Sequence, residues 1–294
     1  MNYQHAFHAG NFADVHKHAV LARVLIHLRN KPAAFRVIDT HAGAARYDLL
    51  AQEATRGGEW YDGIAKVWAA RPTSGDDRSG GGAALLTPYL DAVASLNPGG
   101  SLRTYPGSPL VALALLRPQD RLIACELEPR AAALLQTALR RDRRAKALTI
   151  DGWTALGAYV PPKERRGVVL IDPPFEEAAD FTRLSSALVA AHRKWPTGIY
   201  LMWYPVKDHE GSERFIKSLR RAGIEKCLRV EFAVASPAPA GGLNACGVIV
   251  VNPPWRLAAE IRIFAPVLLN VLGRDTSRGY SLDDLAPSLP SPAP

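Results

Sequence analysis

Apolar residues in this chain follow two rhythms. Over residues 11–29, "NFADVHKHAVLARVLIHLR", Phe12, Val15, Ala19, Ala22 and Ile26 recur three or four positions apart. That spacing predicts a helix with one apolar face, capped by Asn11 and carrying Asp14 in its first turn. The "KPAAF" break ends it. Strand-like runs follow, each closed by an acid, an amide or a turn: "FRVIDTHAG" (35–43), "RLIACELEP" (121–129), "AKALTIDGW" (145–153), "GVVLIDPPF" (167–175), "GIYLMWYPV" (198–206), "CLRVEFAV" (227–234) and "CGVIVVNPPW" (246–255). Several are continuously apolar rather than alternating, as in strands buried on both faces of a parallel sheet. Helical patterns separate them, most clearly at 130–141 and 181–195. Strand–helix alternation predicts an α/β fold with right-handed crossovers.

One spacing is too long. About 80 residues separate "VIDTHAG" from "LIACE", where a βαβ unit needs roughly 30. An insertion is therefore expected over 48–104, with helical pieces "YDGIAKVWAA" and "LLTPYLDAVASL" around a flexible loop, "RPTSGDDRSGGGAA" (71–84). The chain then divides into 1–47 (N-terminal motif, helix and first strand), the inserted helical subdomain 48–104, the rest of the core over 105–273, and a tail 274–294. The tail lacks a periodic apolar pattern and is expected to be disordered.

Composition changes this picture little. The 294 residues fit one large domain or a domain with an insertion, and 48% hydrophobic against 22% charged residues is an ordinary globular balance. Lys+Arg at 36 against Asp+Glu at 28 gives +8, a moderate excess that suits a polyanionic partner. Cys125, Cys227 and Cys246 are too widely spaced for a disulfide framework or a zinc cluster, which points to a reducing cytoplasm. The N-terminus has no signal-peptide pattern, and no apolar run reaches membrane-spanning length. His5, His8, His16 and His18 raise the question of zinc, but His16 and His18 point apart on a helix and no cysteine lies near, so no metal is expected.

Ligands on an open α/β sheet bind beyond the carboxyl ends of the strands. Here those ends form a series. Asp39 is followed by the small residues Ala42, Gly43 and Ala44, which let a ligand approach the backbone. Glu126 is placed to accept from ribose hydroxyls, and Asp151–Gly152 offers an acid to an exocyclic amine. Asp172-Pro173-Pro174-Phe175 closes the set. The turn lacks G-x-G-x-x-G and offers no clean helix N-terminus for a pyrophosphate, so S-adenosylmethionine suits it better than a dinucleotide.

The last motif carries the chemistry. An adenine amine is a poor nucleophile because its lone pair is delocalised into the ring. Asp172 can accept one N–H and the carbonyl of Pro173 the other, while the prolines fix the turn and bring no competing N–H. Phe175 gives an extruded base a face to stack on. A second copy, Asn252-Pro253-Pro254-Trp255, ends the last long run. It is expected at the sheet edge, as a strand stop followed by a turn, with Trp255 on the surface.

The stretches "FHAGNFADVHKH", "DTHAGAARY", "YPGSP", "IDPPF" and "NPPW" together closely resemble the RlmJ family of bacterial 23S ribosomal RNA adenine-N6 methyltransferases, over Tyr3 to about Leu257. The resemblance implies a Rossmann-like class I S-adenosylmethionine-dependent methyltransferase with a small inserted helical subdomain. It implies that Asp172 is catalytic, with Pro173 and Phe175 beside it. It carries cofactor contacts to Lys17, His18, His41, Ser108, Glu126, Asp151, Gly152 and Asp172, and places Tyr3 with Phe175 near the substrate adenine. Phe175 departs from the tyrosine common in the family, which keeps stacking and loses a hydroxyl. The implied activity is N6 methylation of a specific adenine in 23S rRNA by a cytoplasmic monomer needing no metal. The alternatives are a DNA adenine-N6 methyltransferase, a protein glutamine methyltransferase and a non-catalytic RNA-binding protein; the intact Asp172 motif speaks against the last. Arg140, Arg141, Arg143 and Arg144, with residues of the insertion, are the candidate phosphate contacts.

Overall fold

The computed structural model describes residues 4–71, 81–175, 180–206, 209–237 and 242–284. Helix α1 (Phe12–Arg29) comes first, and the Asn11 side chain caps it by accepting from the Asp14 backbone N–H. It is not the one-faced helix its spacing predicts. His16, Lys17, His18 and Arg23 are buried along with the apolar positions, because α1 is packed from both sides. Strands β6 (Gly167–Ile171) and β9 (Ala245–Val251) lie against it on one side; helices α4 (Gly81–Ser95), α5 (Ser108–Leu115) and α10 (Leu257–Leu272) lie on the other.

The main sheet has eight strands, and each apolar run of the sequence supplies one. Along the chain they are β1 (Arg36–Asp39), β4 (Arg121–Glu126), β5 (Ala145–Thr149), β6, β7 (Ile199–Pro205), β8 (Cys227–Ala233), β9 and β10 (Gly279–Asp284), and across the sheet the order is β10-β8-β9-β7-β6-β1-β4-β5. Strands β1, β4, β5, β6 and β7 run parallel. Helix α6 (Pro129–Leu139) joins the α1 side, and α7 (Gly152–Tyr159), α8 (Asp180–Lys194) and α9 (His209–Arg221) cover the opposite face. The three cysteines are buried in β4, β8 and β9, and burial pushes each thiol up to about 12.

The insertion leaves and re-enters through a two-stranded antiparallel pair, β2 (Arg46–Asp48) and β3 (Thr104–Pro106), in which Asp48 faces Thr104. Short helices α2 (Gln52–Gly57) and α3 (Ile64–Ala69) precede α4. The loop expected over 71–84 gives way to α4 from Gly81, and 72–80 lie outside the described residues. The insertion grips the N-terminal segment: Glu59 accepts from Asn11 Nδ2 at 2.8 Å and pairs with His8 at 2.8 Å. Gly10 has φ +80°, and its carbonyl accepts from Ile64 N at 2.8 Å.

Two expectations are corrected. The tail does not lack structure from 274 onward, since Gly279–Asp284 forms β10, antiparallel to β8. Tyr280 and Leu282 are the only large apolar residues of this strand, too short a pattern to stand out in the sequence. Nor does β9 lie at the sheet edge. It sits between β7 and β8 and runs antiparallel to both, so its C-terminal end lies level with the start of β7. Asn252 is there, in the left-handed region at φ 53°. Its Nδ2 donates to the carbonyls of Pro196 and Gly198 at 2.8 and 2.7 Å. The two D/N-P-P motifs therefore occupy opposite ends of the sheet.

Asn252 reads as a clamp on the β7 entry. Asn252→Ala removes two side-chain hydrogen bonds and puts a β-carbon residue at positive φ, where asparagine is better tolerated. The expected loss is roughly 1–3 kcal/mol, measured by chemical denaturation. Asn252→Gly, free of the φ penalty, is expected to lose less.

Candidate active site at the carboxyl ends of the parallel strands

The site is organised around a buried lysine. On α1, Asp14 and Lys17 lie one turn apart and both point inward. Asp14 Oδ1 accepts from Lys17 Nζ at 2.8 Å, and its Oδ2 accepts from Gly10 N at 2.9 Å and from His5 Nε2 at 3.0 Å. Lys17 Nζ also donates to Asp172 Oδ2, at the end of β6. Lys17 is 5% exposed and Asp172 14%. Burial works against the Lys17 charge, yet Asp14 and Asp172 hold it protonated, well above the ordinary lysine value. Burial likewise opposes ionisation of Asp14, but Lys17 and His5 keep its carboxyl well below the usual range. Asp172 is thus presented by a fixed cation instead of swinging in solvent.

Next to it, Asp39 ends β1 in a different condition. Both carboxylate oxygens are buried, with only the Ser108 hydroxyl and the His41 backbone N–H near them and neither in full hydrogen-bond geometry. Burial raises its pKa to about 7, only partly opposed by the nearby Ser108 hydroxyl, and the Asp172 charge pushes the same way. Ser108 is buried at the first position of α5. A buried acid with so few partners at this end of the sheet has the chemistry to hold a cationic group such as an ammonium.

The small-residue turn follows. Gly43 has φ +58°, and a Cβ there would lie 2.2 Å from the Tyr47 hydroxyl. Its N–H donates to Glu126 Oε2 at 2.8 Å, while Glu126 Oε1 accepts from Leu127 N and Glu128 N, each at 2.8 Å. The carboxylate expected to meet a ribose therefore also pins the turn. His41 is held by Thr40 Oγ1 at 2.8 Å, and its ring lies 5.2 Å from that of Trp153. Burial lowers it to about 4, so the imidazole is neutral. Gly152 has no room for a side chain, since a Cβ would stand 2.3 Å from the Thr40 carbonyl oxygen. Asp151 caps α7 through Thr154, with its other oxygen 3.8 Å from Arg183. Beyond Asp172 and Pro173, Phe175 is left-handed at φ 50°, and its ring contacts Phe181 and Trp203 at 5.0 and 5.8 Å. A phenylalanine at positive φ is strained backbone three residues from Asp172.

The structure thus brings Lys17, Ser108 and Asp172 around Asp39, and sets His41 and Gly152 in contact through Thr40. His18 is buried on α1, bonded to the Tyr105 hydroxyl at 2.8 Å, and burial lowers it to about 3. Tyr3 lies outside the described residues. Arg140, Arg141, Arg143 and Arg144 connect α6 to β5 at the opposite end of the sheet, and Arg144 is engaged by Asp142 and the Leu116 carbonyl. The part that Asp14 and His5 play in positioning Lys17 was not evident from the sequence, where Asp14 is a first-turn acid and His5 one of several histidines; the i, i+3 spacing of Asp14 and Lys17 was the one available signal. No cluster of three or more metal-ligating side chains exists among the described residues, and none of their helices is long and apolar enough to cross a membrane.

A family model described as "Ribosomal RNA large subunit methyltransferase D, RlmJ" matches residues 32–283. The ribosomal RNA large subunit methyltransferase J of Escherichia coli K12 is 41% identical, covering 91% of this chain and 92% of that one. The Haemophilus influenzae protein of the same name is 36% identical over 98% of this chain and 99% of that one. A crystal structure of a Legionella pneumophila protein superposes with a TM-score of 0.85 at 32% identity, covering 95% and 99% of the two chains. With the model and both relatives spanning the core strands and the Asp172 motif, this chain belongs to the RlmJ family of ribosomal RNA large subunit methyltransferases.

Proposed function

We propose that this protein transfers a methyl group from S-adenosylmethionine to the N6 amine of an adenine in 23S ribosomal RNA, as a cytoplasmic monomer. The observation that carries the reading is the Asp172 carboxylate, fixed by buried Lys17 at the carboxyl end of β6 and followed by two prolines and Phe175. The cofactor supplies an electrophilic methyl group on a sulfonium. Asp39 receives its ammonium, Glu126 its ribose, and Asp151 with Gly152 its adenine, while Ser108 and His41 line the approach; His18, buried against Tyr105, supports α1 from within. Lys17 occupies Asp172 Oδ2, leaving Oδ1 to accept one N–H of the target amine. The Pro173 carbonyl accepts the second N–H. Two acceptors aimed at one nitrogen draw it toward a tetrahedral shape and release its lone pair for attack, and the proton that the methylated amine must shed passes to Asp172 Oδ1. Phe175, together with Tyr3, stacks on the extruded base.

Incubating the enzyme with labelled cofactor and naked 23S rRNA, duplex DNA or protein tests the reading; label found only in DNA or protein overturns it. Asp172→Ala is expected to abolish transfer while cofactor affinity, followed by calorimetry, weakens only modestly, because the contact matters mainly in the transition state. A loss of rate fully explained by lost cofactor binding refutes the role.

Glu126→Gln keeps one acceptor oxygen and loses the charge that serves three backbone N–H groups. Cofactor affinity is expected to fall roughly tenfold or more, at about 1.5–3 kcal/mol per charge-assisted bond, with RNA affinity little changed in a filter-binding assay.

Asp39→Asn has effects of opposite sign on stability and binding. Between the ordinary carboxylate value and about 7, the unfolded chain has released a proton that folded Asp39 keeps. Stability of the cofactor-free protein therefore falls as pH rises through that window. Asp39→Asn should abolish this slope, stabilise the cofactor-free protein at alkaline pH by roughly 2–4 kcal/mol, and weaken cofactor binding. Thermal melts across pH with and without cofactor check both signs.

A further inference from the structure

The second proline motif performs no part of the chemistry above, yet it displays one of the most exposed large hydrophobic side chains among the described residues. Trp255 is 76% exposed. It does not stand on a loose loop. Asn252 is held at φ 53° by the carbonyls of Pro196 and Gly198, its own N–H donates to the Lys226 carbonyl at 2.8 Å, and the Pro254 carbonyl accepts from Leu257 N at the start of α10. The Arg256 guanidinium lies over the indole, 4.6 Å from the ring centroid. A rigid turn therefore presents a flat aromatic face with a cation on it.

The surroundings are basic. The electrostatic environment of His27, after its own burial, is set by Glu260 on one side and by Arg166, Lys31 and Arg256 on the other. Glu260 is already neutralised by Arg23, at 2.8 and 3.0 Å. Lys31, Lys226 and Arg256 are exposed and form no ion pair among the described residues, while Glu225 is the neighbouring free acid. The same end of the sheet receives Arg143 and Arg165, at the entries to β5 and β6. Cations gather at helix C-termini in many proteins because of the helix dipole, but that accounts for neither an exposed tryptophan nor the arginine over it.

We propose that Trp255, Arg256, Lys31 and Lys226 form a second RNA-docking surface at the pole opposite the methyl-transfer site, which holds phosphodiester backbone and stacks one unpaired base on the indole. The inference rests on the rRNA reading above and adds a requirement on the substrate. Gly198 and Gly167 precede paired residues Ile199 and Val168, so the two poles are separated by the five residues of β6. At about 3.3 Å per residue this is roughly 17 Å of strand, with the loops added at each end. A short target oligonucleotide meets one pole only; a folded rRNA segment reaches round to both.

The test compares a long transcript of the large-subunit rRNA with a single-stranded adenine-containing oligonucleotide of about three nucleotides, roughly 10 Å long when stacked and too short to span both poles, using the full chain. Trp255→Ala should weaken binding of the long transcript about fivefold or more, through lost stacking. A Lys31→Glu, Arg256→Glu double variant should weaken it at least about tenfold and flatten the salt dependence by a log–log slope of roughly 1.4–1.8, two phosphates' worth. Neither variant should alter binding of the short oligonucleotide. Melting temperature and cofactor affinity report that both are folded. Unchanged binding of the long transcript by both folded variants overturns the proposal. So does equal weakening for the short oligonucleotide, or binding to anionic lipid vesicles in place of RNA. If the wild-type protein methylates no rRNA but the variants still lose the long transcript, the function reading fails and the docking surface stands.

Discussion

A protonated lysine inside the protein between two carboxylates is the interaction on which the site depends. Removing such charges from water is penalised by several kcal/mol per ion, and the arrangement survives only when each charge finds its partners. Lys17 has two, Asp14 and Asp172. Asp14 in turn has His5 and the Gly10 amide. Those residues belong to the N-terminal segment, which Glu59 of the insertion ties down through His8 and Asn11. One chain of contacts thus runs from the insertion, through the start of α1, to the residue proposed to do the chemistry. The insertion supports the active site mechanically even where it touches no substrate.

Much of the core was legible because its physics is local. Strands buried on both faces need continuous apolar runs, and each such run became a strand of the sheet. The acids closing those runs at Asp39, Glu126, Asp151 and Asp172 mark one pole because parallel strands all end there. The over-long spacing after β1 exposed the insertion for the same kind of reason. What stayed hidden depends on direction and tertiary contact. "CGVIVVN" reads as a buried strand whichever way it runs, so its antiparallel course, and with it the address of Asn252, was invisible. The spacing on α1 suggested one apolar face, yet the polar residues between are buried too, each against a partner distant in sequence: Lys17 with Asp172, His18 with Tyr105. Strand β10 is two apolar residues on an edge, and edge pairing leaves little trace in composition.

The two proline motifs show how little a local sequence decides about a residue's task. Both follow an apolar strand, and both put a residue at positive φ: Phe175 in one, Asn252 in the other. One acid meets a buried cation; the corresponding amide holds two backbone carbonyls of the neighbouring connection. Reversing the direction of a strand moves a similar tetrapeptide from the pole of the proposed chemistry to a structural corner at the other.

The three thiols carry a consequence of their own. Cys125, Cys227 and Cys246 sit on three different strands, wholly shielded, with negligible thiolate at neutral pH. Oxidants and disulfide-exchange partners have nothing to attack while the sheet is closed. The cysteines therefore act as built-in clocks of opening: Cys125 reports on the parallel half of the sheet, Cys227 and Cys246 on the antiparallel half. If the molecule opens as one unit all three become alkylated together; if the antiparallel half parts first, its two thiols run ahead, and the order of labelling reads out the seams along which the fold comes apart.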